Sequence, residues 1–373
     1  MSGAAKPRLL LLTPDYPPQP GGIQVVSERL AEGMAAFDTQ VVTLATANGV
    51  ARPRSRPPAA VRRVGMRWLP HPARVALLDL SAAALGLRRR PDLTLSMHSV
   101  TAPAGVALRV AGVPLAQYFH ADEIGARPRL ARFAAERADL SIGVSRYTAE
   151  LVRGTGARSS VTVIPNGVDL PADATALPSD RPVFVTVSRM QERYKGHDVL
   201  VRALALVRAK VPDVLWVVIG DGPLRPGIEQ MARAHGVWDS CRFLGSVSDL
   251  QREQWLRRAR LLAMPSRLPP HGAGEGFGIA YLEAAACAKP SVAGNVGGAP
   301  DAVIDGETGL LVDPDDPVDV AEAIARLLID DRLAARLGVA ARARAEAHAW
   351  PVVCTRVQAA LLAMLDGEDE QGS

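Results

Sequence analysis

The chain runs through one pattern twice. Short, continuously apolar runs alternate with longer amphipathic stretches, first over residues 8–164 and again over residues 183–312. In the first series the runs are 8–13, 40–45, 93–97, 115–120, 140–144 and 161–164. In the second they are 183–187, 215–220, 241–244, 261–264, 291–293 and 309–312. Runs this short, with no polar alternation, read as strands buried on both faces, the signature of parallel sheets covered by helices. The stretches between them have the helical period. In residues 198–210, for example, Val199, Leu200, Ala203, Leu204 and Val207 share one face. The expected fold class is α/β, with two doubly wound Rossmann-like domains facing a central cleft outside the carboxyl ends of their strands.

The length agrees, since 373 residues suit two domains. Between the two series lies Pro165-Asn166-Gly167-Val168-Asp169, followed by Pro171 and Pro178, a turn-and-proline cluster that marks a boundary. The domains are therefore expected at residues 1–170 and 171–350, with a last helix over 352–365 and an acidic tail from 367. Aromatic residues make up only 4% of the chain, so both cores must be built from Leu, Val, Ile and Ala. Three widely spaced cysteines offer neither a disulfide framework nor paired metal ligands, which suits a reducing cytoplasm.

Leu9-Leu10-Leu11-Leu12 is too short for a signal-peptide core. The longest apolar stretch, 73–87, carries Arg74 and Asp79 and falls short of the roughly 20 residues a membrane span needs. A soluble, cytoplasmic protein is expected. Its charge is uneven: residues 1–170 hold 21 Lys and Arg against 12 Asp and Glu, and residues 171–373 hold 22 against 27. The excess gathers at Arg52, Arg54, Arg56, Arg62, Arg63, Arg67 and Arg74. One reading is a solvated arginine-rich loop. The other is a surface for an anionic acceptor or for membrane headgroups, with peripheral contact at the inner membrane face. Nucleic acid is not expected, because no aromatics interleave the arginines.

Four constellations follow strand runs, and each suits a negatively charged nucleotide ligand. Gly21-Gly22 precedes a helix starting near Ile23, where backbone amides and the helix dipole favour a phosphate, although a plain Pro/Gly turn would look much the same. No Gly-x-Gly-x-x-Gly or P-loop lysine accompanies it. Arg189 and Lys195, on the loop 188–196 closed by Gly196, supply a planar fork and a mobile point charge for a pyrophosphate. Surface charge is the plainer alternative. Gly274-Glu275-Gly276-Phe277-Gly278 leads into an apolar helix beginning at Ile279, and Glu283 falls on its second turn. A carboxylate inside an apolar run is costly without partners, so Glu283 is a candidate to bridge a vicinal diol. Finally, His120 ends the run 115–120, with Asp122 or Glu123 able to orient its ring. A lone histidine is more often a satisfied structural residue.

Together these residues resemble the retaining glycosyltransferases of glycosyltransferase family 4, which have the GT-B fold. The resemblance spans residues 9–350. It rests most on Glu275 followed at the eighth position by Glu283, and also on Gly21-Gly22, Ser188-Arg189, Lys195-Gly196, Gly220-Asp221-Gly222-Pro223, Gly297-Gly298-Ala299-Pro300-Asp301 and Asp305-Gly306-Glu307-Thr308-Gly309. It implies that Gly21, Gly22, Arg189 and Lys195 meet the donor diphosphate. Glu283 would hold the ribose hydroxyls. Glu275, Phe277, Gly278 and Ile279 would line the transferred sugar, the last three through the backbone. His120 would sit beside the anomeric centre, and the base near Gly220–Gly222 and Ser246-Val247. Residues 351–373 would pack back toward the first domain. Two departures stand out: Pro269-Pro270-His271 lengthens the loop before Glu275, and Asp301 replaces a more usual Glu.

The implied reaction moves a hexose from a nucleotide diphosphate sugar to an acceptor hydroxyl with retention, the leaving phosphate taking the acceptor's proton on the same face. No metal and no cofactor are expected, because cations and amide dipoles serve the developing anion. The likeness is nearest to actinobacterial phosphatidylinositol-mannoside mannosyltransferases. That favours GDP-mannose over a UDP-sugar as donor, with a lipid, glycan or natural-product acceptor. A nucleotide-sugar 2-epimerase, a glycogen-type phosphorylase and a non-catalytic nucleotide-sugar-binding protein are the competing readings.

Overall fold

A computed structural model describes residues 5–18, 21–45, 59–65, 68–269 and 273–369. Arg52, Arg54, Arg56, Arg67, Pro270, His271 and the end of the acidic tail lie outside the described residues. The chain forms two compact units, residues 1–166 with 350–373, and residues 167–349. The boundary falls inside the Pro165–Asp169 cluster, a few residues before the expected division at 170.

The first unit contains, in chain order, β1 (Arg8–Thr13), α1 (Gly22–Gly33), β2 (Asp38–Leu44), β3 (Ala60–Val64), α2 (His71–Arg89), β4 (Leu93–Ser96), α3 (Ala102–Val110), β5 (Leu115–Phe119), α4 (Ala121–Ala126), α5 (Pro128–Arg137), β6 (Leu140–Gly143), α6 (Arg146–Gly154) and β7 (Thr162–Val163). Its sheet is parallel throughout and ordered β3-β2-β1-β4-β5-β6-β7. The four leucines of β1 are at most 3% exposed. Leu10 and Leu12 pack with Val42, Leu78, Ala82 and Leu108, which seats α2 and α3 on one face of the sheet. Each such leucine contributes about 2 kcal/mol through the surface it removes from water.

β3 has no counterpart among the expected strands. Its sequence, Ala60-Val61-Arg62-Arg63-Val64, is an edge strand whose two arginines are exposed, so it lacks the continuous apolar run of its neighbours. Charged side chains of this kind discourage pairing with another chain. Arg62 and Arg63 thus belong to the sheet and not to a loop, and Arg63 donates to the Pro17 carbonyl at 2.6 Å.

The second unit contains β8 (Val183–Val187), α7 (His197–Lys210), β9 (Leu215–Ile219), α8 (Arg225–Ala234), β10 (Cys241–Gly245), α9 (Asp249–Arg258), β11 (Leu261–Met264), α10 (Ile279–Ala286), β12 (Ser291–Gly294), α11 (Ala299–Ala302), β13 (Gly309–Val312), α12 (Pro317–Ile329) and α13 (Asp331–Ala347). Its sheet, also parallel, is ordered β10-β9-β8-β11-β12-β13. In its core Trp216 stacks on Phe184, and the indole N–H finds a partner in Thr186 Oγ1 at 2.9 Å, which removes the cost of burying it.

A final helix, α14 (Trp350–Asp369), starts two residues before the expected helix and belongs to the first unit. It lies on α1: Gln358 Oε1 accepts from the Ala36 amide at 2.9 Å, and Cys354 meets Gly33 so closely that a Cβ there would fall 2.3 Å from its Sγ. Among the described residues no helix is long and apolar enough to cross a membrane.

Candidate active site

In both sheets the strand order reverses direction at one place, beside β1 and β4 in the first and beside β8 and β11 in the second. Loops leaving neighbouring strands there turn to opposite faces and open a crevice at the carboxyl ends, the usual ligand position in such sheets. Of the residues singled out from sequence, Gly21 and Gly22 follow β1, Arg189 and Lys195 follow β8, and Glu275, Phe277 and Gly278 follow β11, whereas His120 follows β5, Val247 follows β10 and Glu283 lies on α10.

In the second unit, the loop after β8 ends in a tight turn over Arg193–Lys195, closed by Gly196 at φ 78°. A Cβ at Gly196 would sit 2.3 Å from the Pro265 carbonyl oxygen, so only glycine lets this turn lie against the end of β11. The Arg267 amide donates to the Tyr194 carbonyl at 2.8 Å. The Arg267 guanidinium binds Asp198 at 2.5 Å and the Arg193 carbonyl at 3.2 Å. These contacts bring Lys195 Nζ to 2.5 Å from Glu275 Oε2, with the two side chains 18% and 13% exposed. Burial alone would lower the Lys195 pKa, but the Glu275 carboxylate outweighs it and holds the ammonium above its ordinary range. Next to it, burial and the Lys195 charge push His197 down to about 4, and its Nε2 shares a hydrogen bond with Ser188 Oγ at 3.1 Å. Lys195 is thus a cation and His197 neutral at pH 7.

The other carboxylate of the pair, Glu283, is half-buried on α10, and its Oε1 accepts from Arg252 on α9 at 2.9 Å. Arg252 also reaches Asp249 at 3.0 Å. The glycine-rich loop before α10 is held by Gly298, whose amide donates to the Glu275 carbonyl at 2.8 Å. A Cβ at Gly298 would lie 2.0 Å from the Gly276 carbonyl oxygen. Phe277 is 1% exposed and stacks on His348, so its side chain belongs to the core and only its backbone can face a ligand. Gly278, at φ 93°, caps α10 and is buried, while Ile279 and Val247 are half-buried. Arg189 is exposed and makes no hydrogen bond or ion pair with the other described residues. Lys195, Glu275 and their supporting loops therefore come together directly, and Arg189 stands apart from that pair.

Gly21, Gly22 and His120 belong to the first unit. Gly21 precedes α1 with no side chain capping the helix, which leaves its first-turn amides to a ligand or water. His120 directly follows β5 and is 7% exposed, and its Nε2 is buried with no hydrogen-bond partner among the described residues. Burial pushes its pKa down to about 4, so the ring is neutral at pH 7. Neither acidic neighbour orients that ring as expected: Asp122 is exposed, and Glu123 Oε1 accepts instead from the His120 backbone amide at 2.9 Å. Glu123 Oε2 meets His98 Nδ1 at 2.8 Å and the Ser99 amide at 2.5 Å.

Three supporting residues, one in the first unit and two in the second, carry no signal readable from sequence alone. Arg252, Arg267 and His98 act through partners 31, 69 and 25 positions away respectively (Glu283, Asp198 and Glu123), distances that only the folded chain closes. Among the described residues no group of His, Cys, Asp and Glu could hold a metal ion.

Two parallel doubly wound sheets, with ionic and glycine-rich loops at the carboxyl ends of their strands, are the architecture of a glycosyltransferase of GT-B type. Residues 172–344 match the model for glycosyl transferases group 1 and residues 20–171 that for glycosyltransferase family 4. The chain belongs to this glycosyltransferase family. It is 34% identical over 361 residues to the GDP-mannose-dependent alpha-(1-6)-phosphatidylinositol monomannoside mannosyltransferase of Mycolicibacterium smegmatis, covering 90% of this chain and 92% of that one. In structure it resembles the sucrose-phosphate synthase of Thermosynechococcus elongatus, with TM-score 0.83 and 23% identity over 99% of this chain and 100% of the other. It also resembles Anabaena HepE crystallised with UDP and glucose, with TM-score 0.77 and 21% identity over 96% and 100%. At these identities the two structures carry the fold alone.

Proposed function

We propose that the protein transfers mannose from GDP-mannose to a hydroxyl of an anionic glycolipid acceptor, with retention at the anomeric carbon and without a metal. The observation that carries this reading is the Lys195–Glu275 pair at the switch point of the second sheet, in a chain one-third identical to a GDP-mannose-dependent enzyme. Breaking the sugar–phosphate bond builds negative charge on the departing diphosphate. A lysine already ionised and anchored needs no reorganisation to meet that charge, and such preorganisation is usually the largest catalytic contribution. Arg189, exposed on the same loop, and the uncapped start of α1 behind Gly21 and Gly22 add to it.

Glu275 then exchanges part of its contact with Lys195 for hydroxyls of the transferred sugar, together with the backbone at Phe277, Gly278 and Ile279. Glu283 takes the ribose diol, and Val247 lies beside the base. His120, neutral, is a hydrogen-bonding partner of the sugar and not a charge. The acceptor hydroxyl's proton passes to the leaving phosphate oxygen on the same face as that oxygen departs, so no carboxylate nucleophile takes part. The arginines of β3 and α2 suit an anionic lipid and a peripheral place at the inner membrane face.

The test is to offer GDP-mannose and vesicles containing a phosphatidylinositol mannoside, in excess chelator, and to follow GDP release and the anomeric configuration of the product. An α-linked mannolipid formed with stoichiometric GDP supports the proposal. Strict metal dependence, a β-linked product, or isomerised donor with no transfer would each contradict it.

A further inference from the structure

We infer that Glu123 is a positioning residue, a single buried carboxylate that clamps the ends of β4 and β5 together and so fixes where the His120 imidazole lies. Its side chain is 1% exposed. Oε1 accepts from the His120 amide at 2.9 Å, and Oε2 accepts from the Ser99 amide at 2.5 Å and from His98 Nδ1 at 2.8 Å. One carboxylate thus binds backbone on both sides of the gap between two adjacent strands, and His120 is the first residue beyond one of them. The Val100 amide also lies 3.1 Å from His98 Nδ1, but the shorter contact is to an anion, so Nδ1 carries the proton and donates to Glu123.

The two histidines beside the clamp shift in opposite directions. Burial works against charging His98, yet Glu123, helped by Asp15 and opposed by Arg127, raises its pKa above the ordinary value. On His120 burial outweighs the opposing Glu123 charge and Met97 backbone, and with the nearby His98 it pushes the pKa down to about 4.

The role of His120 rests on the function proposed above, so the experiment separates the two. Glu123→Gln keeps the shape but turns an amide donor toward a backbone N–H that needs an acceptor. Its kcat should fall roughly 10-fold or more, the cost of a lost charged hydrogen bond, with a smaller change in the donor KM, because, of the proposed donor-binding side chains, only His120 is displaced while Lys195, Glu275 and Glu283 are unchanged. In a pH titration followed by histidine 15N spectra, His98, assigned with His98→Asn, should titrate at a lower pH in Glu123→Gln than in the native protein. Glu123→Asp, which keeps the charge, should stay nearer the native His98 titration and recover part of the turnover, and it serves as the test if the amide variant does not fold. An unchanged His98 titration in Glu123→Gln, or native turnover in that variant while His120→Ala is impaired, would overturn the positioning role. Native turnover in His120→Ala would overturn the assignment of His120 itself.

Discussion

Lys195 Nζ and Glu275 Oε2 stand 2.5 Å apart although 80 positions separate them in the chain. The pair keeps a mostly buried ammonium ionised, where burial alone would lower the lysine's pKa. If that ammonium meets the leaving diphosphate, Lys195→Ala should lower kcat by about 10²-fold or more, the scale of removing one preorganised donor from a developing anion. Single-turnover measurements with saturating donor report this directly. Turnover within threefold of native would remove Lys195 from the mechanism.

Arg252 and Glu283 make a second pair, at 2.9 Å between α9 and α10. Glu283→Gln should raise the donor KM with a smaller effect on kcat, since the ribose diol is bound equally in ground and transition states. Arg252→Ala should act in the same direction and less strongly. In the double variant the two losses should not add, because both remove one interaction. Additive losses would show the two residues working independently.

Gly298 is set so close to Gly276 that a methyl group has no room, its Cβ falling 2.0 Å from a backbone oxygen. Backbone cannot rotate away as a side chain can. Gly298→Ala should displace the loop that carries Glu275, cost about 1–3 kcal/mol of stability, and abolish the thermal stabilisation given by a nucleoside diphosphate. Unchanged stabilisation by GDP would show that the loop absorbs the methyl group without moving its binding atoms.

Asp79 makes a prediction about stability alone. It sits on α2 with Oδ1 buried and unpartnered, and burial, against the opposing Ala104 amide, raises its pKa from 3.8 to about 7. A carboxyl whose folded pKa is raised favours the folded state below its unfolded value and loses that contribution as pH rises through the folded value. Stability attributable to Asp79 should therefore decline between about pH 4 and pH 7 and then level off. Asp79→Asn should be more stable than native at pH 8, by more than about 1.4 kcal/mol, the worth of one pKa unit. The difference should vanish near pH 4, as urea titrations at the two pH values will show.

The double α/β architecture was legible because parallel strands buried on both faces leave continuous apolar runs, as in Leu9–Leu12 and Val183–Val187. β3 escaped because an edge strand needs only one buried flank, and Arg62 and Arg63 break its pattern. The glycine-rich loop and the Glu275/Glu283 spacing were readable as local sequence. The side chains that support them were not: Arg267, Arg252 and His98 look like ordinary surface or strand-end residues until the fold brings their carboxylate partners to them. Glu123 was expected to orient the His120 ring from its place three residues on. In the helix-capping geometry of α4 that spacing puts its oxygen on the His120 amide instead.

Calorimetric titration of GDP and of guanosine into the native protein and Lys195→Ala, all in excess chelator, tests the central claim most directly. The native protein should bind GDP without a metal, Lys195→Ala should bind it at least about 10-fold more weakly, and guanosine affinity should be the same for both. Equal GDP affinity in the two proteins, or no GDP binding by the native protein until a divalent cation is added, would contradict a diphosphate site built on Lys195.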